Sequence, residues 1–417
     1  MADRNPPDRK EGAGKSRGET SGKVADFRYK KRPAQPDRPD SSQAKRRHTP
    51  RGPKGHAPAR TTPATPRPEP SPEAEPTSIS RRQAYAALDL GTNNCRLLIA
   101  RPSGENFTVI DAFSRVVRLG EGLAASGRLS DAAMERTLAA LHVCAEKLLR
   151  RRVHLARSVA TEACRRASNG EEFIARVREE TGIALDIITA QEEARLAVLG
   201  CHVLLEQQPG PAVIFDIGGG STELVLVEPG DKVPRIVDWM SVPWGVVSLT
   251  DSVRPPDGTS KGRAARYAEM RRIVDESFAA FAERIAATAR AAPAVRLLGT
   301  SGTVTTLASL HLELPQYDRQ AVDGLIVPSQ SMRGITQRLS TMSRKDRGTL
   351  PCIGDDRADL VVAGCAILES ILDIWPAEEL GVADRGIREG ILRSLMAADV
   401  EGERSRASLQ RMREQDV

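Results

Sequence analysis

Two stretches 127 residues apart carry one pattern: Leu88–Ala100 is LDLGTNNCRLLIA and Phe215–Val227 is FDIGGGSTELVLV. Each runs apolar, Asp, apolar, Gly, then four small or polar residues and one charged residue, and ends in an apolar strand. A strand, a sharp turn and a return strand written twice, with Asp and Gly in register, imply that one supersecondary unit has been used twice. Three successive glycines pack little, so between strands they mark a backbone that must come very close to something. Asp89 and Asp216, each at a strand end, are placed to hold a hydrated cation or a water, and Gly-rich turns free successive N–H groups to surround phosphate oxygens. No Gly-Lys-Ser/Thr follows either turn, so the lysine-based phosphate loop is excluded. Two opposed turns, one per domain, make a clamp with its site in the cleft between them.

The texture of the chain agrees with two α/β units. From about residue 83, strand-like runs (84–88, 96–100, 108–117) precede a periodic helix at 131–152, a strand at 156–160, a helix at 170–181, a strand at 184–188 and a helix from 190 to about 206. The order restarts at 212 with strands 212–216, 223–228 and 234–242, then a long helix 261–291, a strand 295–298 and a helix from 302. Helices at 329–340 and 356–374, a strand near Leu380 and a helix from Ile387 complete it. This predicts a domain at 83–207, a hinge in QQPGP (207–211), a second domain at 208–397 whose last helix packs back on the first, and a charged tail at 398–417.

Residues 1–82 differ in kind. Residues 1–80 hold 18 Lys+Arg against 10 Asp+Glu, a net +8 that leaves −2 for the rest of a chain totalling +6, and they carry 14 of its 27 prolines. So few large apolar residues cannot offset the entropy of ordering, and a disordered basic leader is expected. Clusters such as Lys45-Arg46-Arg47 suit weak contact with a polyanion. The leader has no apolar core of a signal peptide, and no run approaches the roughly 18 apolar residues of a membrane span, so a soluble cytoplasmic protein with no membrane partner is expected. Six scattered cysteines without a CxxC pair or a His/Cys cluster exclude a zinc motif and a disulfide framework.

TAQEEARL (189–196) sharpens one assignment. Thr189 and Glu192 have the spacing of a capping box, in which Glu192 folds back onto the helix start and leaves Glu193 as the free carboxylate. GTSGT (299–303) is a third small-residue turn, where Ser301 either binds an anion or caps the following helix.

The paired turns resemble the two phosphate motifs of the actin-like ATPase superfamily. Together with VATEACRRASNGEEF (159–173), IITAQEEARLAVLG (187–200), LLGTSGTVTTLA (297–308) and VADRGIREGIL (382–392), they resemble the exopolyphosphatase/guanosine pentaphosphate phosphohydrolase family over residues 83–397. The resemblance implies an α/β fold of two actin-like (ribonuclease H-like) domains with an interdomain cleft. It implies that Glu193 is catalytic, orienting or deprotonating the attacking water, and that Arg165 binds phosphate and offsets charge, with neighbouring Arg166 as the alternative. Phosphate would be held at Gly91, Thr92, Asn93, Gly218, Gly219, Gly220, Ser221, Thr222 and Ser301, and Mg2+ (or Mn2+) at Asp89, Asp216 and Glu223. The implied activity is Mg-dependent release of terminal orthophosphate from inorganic polyphosphate. The alternatives are 5'-dephosphorylation of guanosine pentaphosphate (pppGpp), an ATP-driven kinase or chaperone-like switch, and a non-catalytic polyphosphate- or nucleotide-binding module. A homodimer stays open beside the monomer.

Overall fold

Ala84–Leu90 (AYAALDL) is buried along its whole length, as expected of a strand covered on both faces. In a computed structural model that describes residues 83–415 except 105, 206–209, 231–232 and 292–295, this strand, β1, is the centre of the first of two sheets. It is followed by β2 (Asn94–Ser103), β3 (Asn106–Val116), helices α1 (Leu123–Ser126) and α2 (Asp131–Arg150), β4 (Val153–Ala160), α3 (Glu162–Arg166), α4 (Gly170–Thr181), β5 (Leu185–Ile187) and α5 (Ala190–Cys201). The second half comprises β6 (Ala212–Ile217), β7 (Thr222–Glu228), β8 (Arg235–Val242), α6 (Val246–Ser252), α7 (Ser260–Ala291), β9 (Arg296–Thr300), α8 (Gly302–His311) and α9 (Arg319–Val322). It closes with β10 (Ile326–Pro328), α10 (Ser329–Thr341), α11 (Arg344–Gly348), α12 (Leu360–Ile374), β11 (Glu379–Ala383) and α13 (Ile387–Gln415). The expected leader and most of the expected hinge lie outside the described residues.

The sheets have one topology. The first runs β3-β2-β1-β4-β5 and the second β8-β7-β6-β9-β11, with β10 added at its edge. In both, the first three strands pair antiparallel and the rest of this shared order pairs parallel. The repeat holds at the level of single pairs: Asp89 lies opposite Arg96 and Asp216 opposite Glu223, each 127 residues on. Even the irregularity in the second strand pair recurs, at Ile99/Ala100 and Leu226/Val227.

Helices cover the four sheet faces. Leu88, Leu90 and Leu97 pack with Leu138, Leu141, Phe173 and Val177 of α2 and α4. Phe215, Leu224 and Leu226 pack over α7, α8 and α12, with Val274, Phe278, Leu307 and Ile367 in one core. The two remaining faces share α5. Its Leu196 and Ala197 join Ile387, Ile391, Leu392 and Leu395 of α13 on the first sheet, beside Tyr85 and Leu98. Its Ala194, Val198 and Cys201 meet Ile214, Val225 and Leu298 of the second. The last helix of the chain therefore closes the first sheet. It also runs on to Gln415, through the segment expected to be a tail. Among the described residues, no helix is long and apolar enough to cross a membrane.

Candidate active site

The two turns, 91–93 and 218–221, face one another directly. A Cβ on Gly219 would come 2.9 Å from Thr92 Cβ, and one on Gly220 would come 2.6 Å from Thr92 Oγ1 and 2.9 Å from Glu162 Cγ. Glycine is needed there for the opposing domain as well as for any ligand. The turns are built alike. Gly91 N–H donates to Asn94 O, and Gly218 N–H to Ser221 O, both at 2.9 Å. Gly120 N–H donates to Thr92 O at 2.9 Å, and its counterpart Val247 N–H to Gly219 O at 2.8 Å. The Gly218 carbonyl accepts from Val246 N–H at 3.0 Å, and the Gly220 carbonyl from the Ser248 hydroxyl at 2.9 Å. In a planar trans peptide C=O and N–H point opposite ways, so the N–H groups of Gly219, Gly220 and Ser221 point away from α6. By the same logic those of Asn93 and Asn94 point away from 117–120, whose amides hold the Thr92 and Asn93 carbonyls.

The cleft these turns enclose is lined by Asp89, Gly91, Thr92, Asn93, Glu193, Asp216, Gly218, Gly219, Gly220, Ser221 and Ser301, among others. Eleven of the fourteen residues singled out from the sequence thus meet at one place. Arg165, Thr222 and Glu223 are not on its wall. Thr222 turns its hydroxyl away, donating to Trp244 O at 2.7 Å. Glu223 stands one layer behind, where its Oε1 accepts from the Ser221 and Ser241 hydroxyls at 2.7 and 2.9 Å. Ser301 keeps its capping role, accepting from Val304 N–H at 3.1 Å.

Arg165 acts through its neighbours. Its Nε and Nη2 donate to Glu162 Oε2 at 3.0 and 2.5 Å, both Nη groups reach Glu193 Oε2 at 3.2 Å, and Nη1 also donates to Ile188 O at 2.7 Å. Arg166 only approaches Glu162, at 3.8 Å, and is 41% exposed. Of the pair, Arg165 is the one tied to Glu193. The capping box is half made: Glu192 N–H donates to Thr189 Oγ1 at 3.2 Å. The Glu192 carboxylate, however, goes to Arg157 at 2.9 Å and Arg195 at 2.7 Å, because two cations outcompete one backbone N–H. Glu193 still emerges as the acid facing the cleft, 8% exposed.

Sequence reasoning missed Glu162, Arg96 and Arg357 on the cleft wall. Arg96 had a signal, since it is the repeat's partner of Glu223. Arg357 had none before folding brought it to Thr306, its Nη1 3.4 Å from the hydroxyl.

Electrostatically the site is rich in acid. Burial pushes the Asp216 carboxyl up to about 6, Arg96 pulling against it and Asp89 adding to it. Burial and then the charge of Asp216 push Glu223 up to about 7, against its two serine hydroxyls. Burial and then Glu223 hold Glu193 well above the usual carboxylate range despite Arg165, and burial likewise raises Asp89 against Arg96 and Arg388. Asn93 adds a buried side-chain oxygen without a hydrogen-bond partner among the described residues. A crowd of oxygen donors of this kind suits a hard divalent cation. Among the described residues no three metal-ligating side chains form a ready cage.

Two topologically equivalent α/β domains, each offering a strand-end Asp and an amide-lined turn to a shared cleft, define the actin-like class. Within it, the model of the Ppx/GppA phosphatase family matches residues 98–399. Exopolyphosphatase 2 of Mycobacterium tuberculosis is 34% identical over 327 residues, covering 74% of this chain and 98% of that protein. The crystal structure of the Aquifex aeolicus member of the Ppx/GppA family shares the fold with a TM-score of 0.61 at 28% identity, over 76% of this chain and 98% of that one. A Cytophaga hutchinsonii exopolyphosphatase, 24% identical over the same shares of the two chains, has a TM-score of 0.68, a likeness of fold. The chain belongs to the Ppx/GppA phosphatase family, and it is a hydrolase of phosphoric anhydrides.

Proposed function

We propose that the protein is an exopolyphosphatase that releases terminal orthophosphate from inorganic polyphosphate. The observation that carries this reading is the pair of equivalent amide-lined turns facing one cleft with the carboxylate of Glu193 beside them. The turn amides bind the oxygens of the last phosphates. Glu193, with Oε2 held by Arg165, orients the water that attacks the terminal phosphorus and takes its proton; burial makes it a stronger base than an exposed glutamate. Catalysis is then positioning plus electrostatics. Asp89 and Asp216 would hold Mg2+, or Mn2+, which when bound offsets the negative charge of phosphates and carboxylates. Glu223, bonded to Ser221 and Ser241, supports the second turn from behind.

Guanosine pentaphosphate ends in the same anhydride, and the apolar side chains of Leu360, Val361 and Ile387 on the cleft wall offer a surface to a base. One assay separates the substrates: orthophosphate release from polyphosphate, guanosine pentaphosphate and ATP with Mg2+. The expected order of kcat/KM puts polyphosphate first. A higher value for guanosine pentaphosphate would replace the substrate assignment, and release from ATP alone, or from none, would overturn the reading.

A further inference from the structure

Glu162 is the first residue of the short helix α3, 9% exposed, and on the cleft wall. One of its oxygens, Oε2, takes two donors from Arg165, at 3.0 and 2.5 Å. The same guanidinium holds one oxygen of Glu193 and the Ile188 carbonyl, just before the α5 cap Thr189. With both edges of its fork on carboxylates, Arg165 has little left for a phosphate. On its other side the stem of Glu162 lies against Gly220, whose backbone leaves no room for a side chain: a Cβ there would stand 3.2 Å from Glu162 Cβ.

We infer that Glu162 is a positioning residue: through Arg165 it fixes Oε2 of Glu193, and through Gly220 it makes that alignment depend on contact with the turn of the other domain. Glu193 Oε1 is thereby left to the water. The guanidinium acts as a brace between two acids, one on α3 and one on α5. Because the brace touches Gly220, separation of the turns would release Glu162 and with it the register of Glu193.

This inference rests on Glu193 being the group that handles the water, so the test measures Glu193→Gln by itself as well. Steady-state kcat and KM for polyphosphate are compared for Glu162→Ala, Glu162→Ser, Glu162→Gln and the Glu162→Ala/Glu193→Gln pair. The two truncations should lower kcat about 10- to 100-fold, the scale of a misplaced catalytic group, and change KM less than about threefold. Glutamine keeps an oxygen for Arg165 and should recover most of the loss. In the Glu193→Gln background the alanine substitution should cost less than about twofold, since there is no base left to misalign. A raised KM with unchanged kcat, an equal loss in both backgrounds, or a glutamine variant as poor as alanine would overturn the inference. So would truncations that fail to fold while glutamine folds, because Glu162 would then be structural. Wild-type turnover by Glu193→Gln would instead sink the reading of Glu193 on which the inference stands.

Discussion

At the residue scale, Glu193 is proposed to handle the water, and burial together with the acids around it raises its proton affinity. On the role proposed for Glu193, Glu193→Gln keeps the shape of the site and removes the proposed base, so kcat should fall about 100- to 10,000-fold with an unchanged circular dichroism spectrum and melting temperature within a few degrees. Near-normal turnover would move the base elsewhere. The buried acids also set a pH dependence of stability. Asp216 at about 6 and Glu223 at about 7 stand above their ordinary values of 3.8 and 4.5. The folded state therefore binds more protons than the unfolded one in that window, and the stability these groups contribute is present below about pH 4 and lost as pH rises through about 6 to 7. In EDTA, melting temperature should fall between about pH 5 and pH 8, the fall should shrink in Asp216→Asn, and Mg2+ should restore more stability at the higher pH. An identical slope in wild type and Asp216→Asn would show that Asp216 does not titrate this way. These acids were legible in the sequence because a repeated Asp-x-Gly stands out from an apolar background. Glu162 was not, because VATEACRR presents three charged residues and only the α3 turn selects which of them face the cleft.

At the scale of elements, the crossing of α5 and α13 decides how closely the halves are joined. A Cβ on Gly390 would stand 2.0 Å from Leu196 O, and one on Gly200 would stand 2.0 Å from Gly386 O. Alanine ordinarily favours a helix over glycine by about 1 kcal/mol, but a clash with a backbone carbonyl cannot be relieved by a rotamer change. Gly390→Ala should therefore destabilise by about 1–3 kcal/mol in urea denaturation. Gly334→Ala in α10, where no atom lies within 4 Å of the added carbon, should stabilise by about 0.5–1 kcal/mol. Equal signs for the two would refute the close crossing. The long periodic elements were legible to within a few residues, α4 at both ends. Short ones such as α3, α6 and α11 escaped, since five to seven residues span no more than about two turns, too few for a period to repeat. The helix read as 356–374 starts at Leu360, the preceding residues forming turns instead.

At the scale of the whole molecule, the chain's last long element completes its first sheet. Leu392 is fully buried among Tyr85, Leu98 and Leu196, so Leu392→Ala should cost about 2–5 kcal/mol and do so in a single transition if both domains share α13. A second, separate transition in calorimetry would count against that sharing. The ion pair Arg118–Asp356 also joins the halves, at 2.8 Å, but its partners are 43% and 72% exposed, and screened pairs of this kind contribute little. Asp356→Ala should change stability by less than about 0.5 kcal/mol. Burial, rather than surface charge, holds the cleft walls together.

The sequence by itself determined the duplication, the two strand-end aspartates and the glycine turns, because each is a local pattern whose meaning needs only strand alternation and turn chemistry. Tertiary structure alone decided that the glycines also make room for the opposing turn, that Arg165 braces two carboxylates, that Glu223 stands behind the cleft, and which residues of α13 meet the first sheet. Those facts depend on which faces meet, across 28 residues of chain for Arg165 and Glu193 and across more than 100 for the facing turns and α13. Contacts of that range are set by the packing of whole sheets and helices, which no short stretch of sequence records.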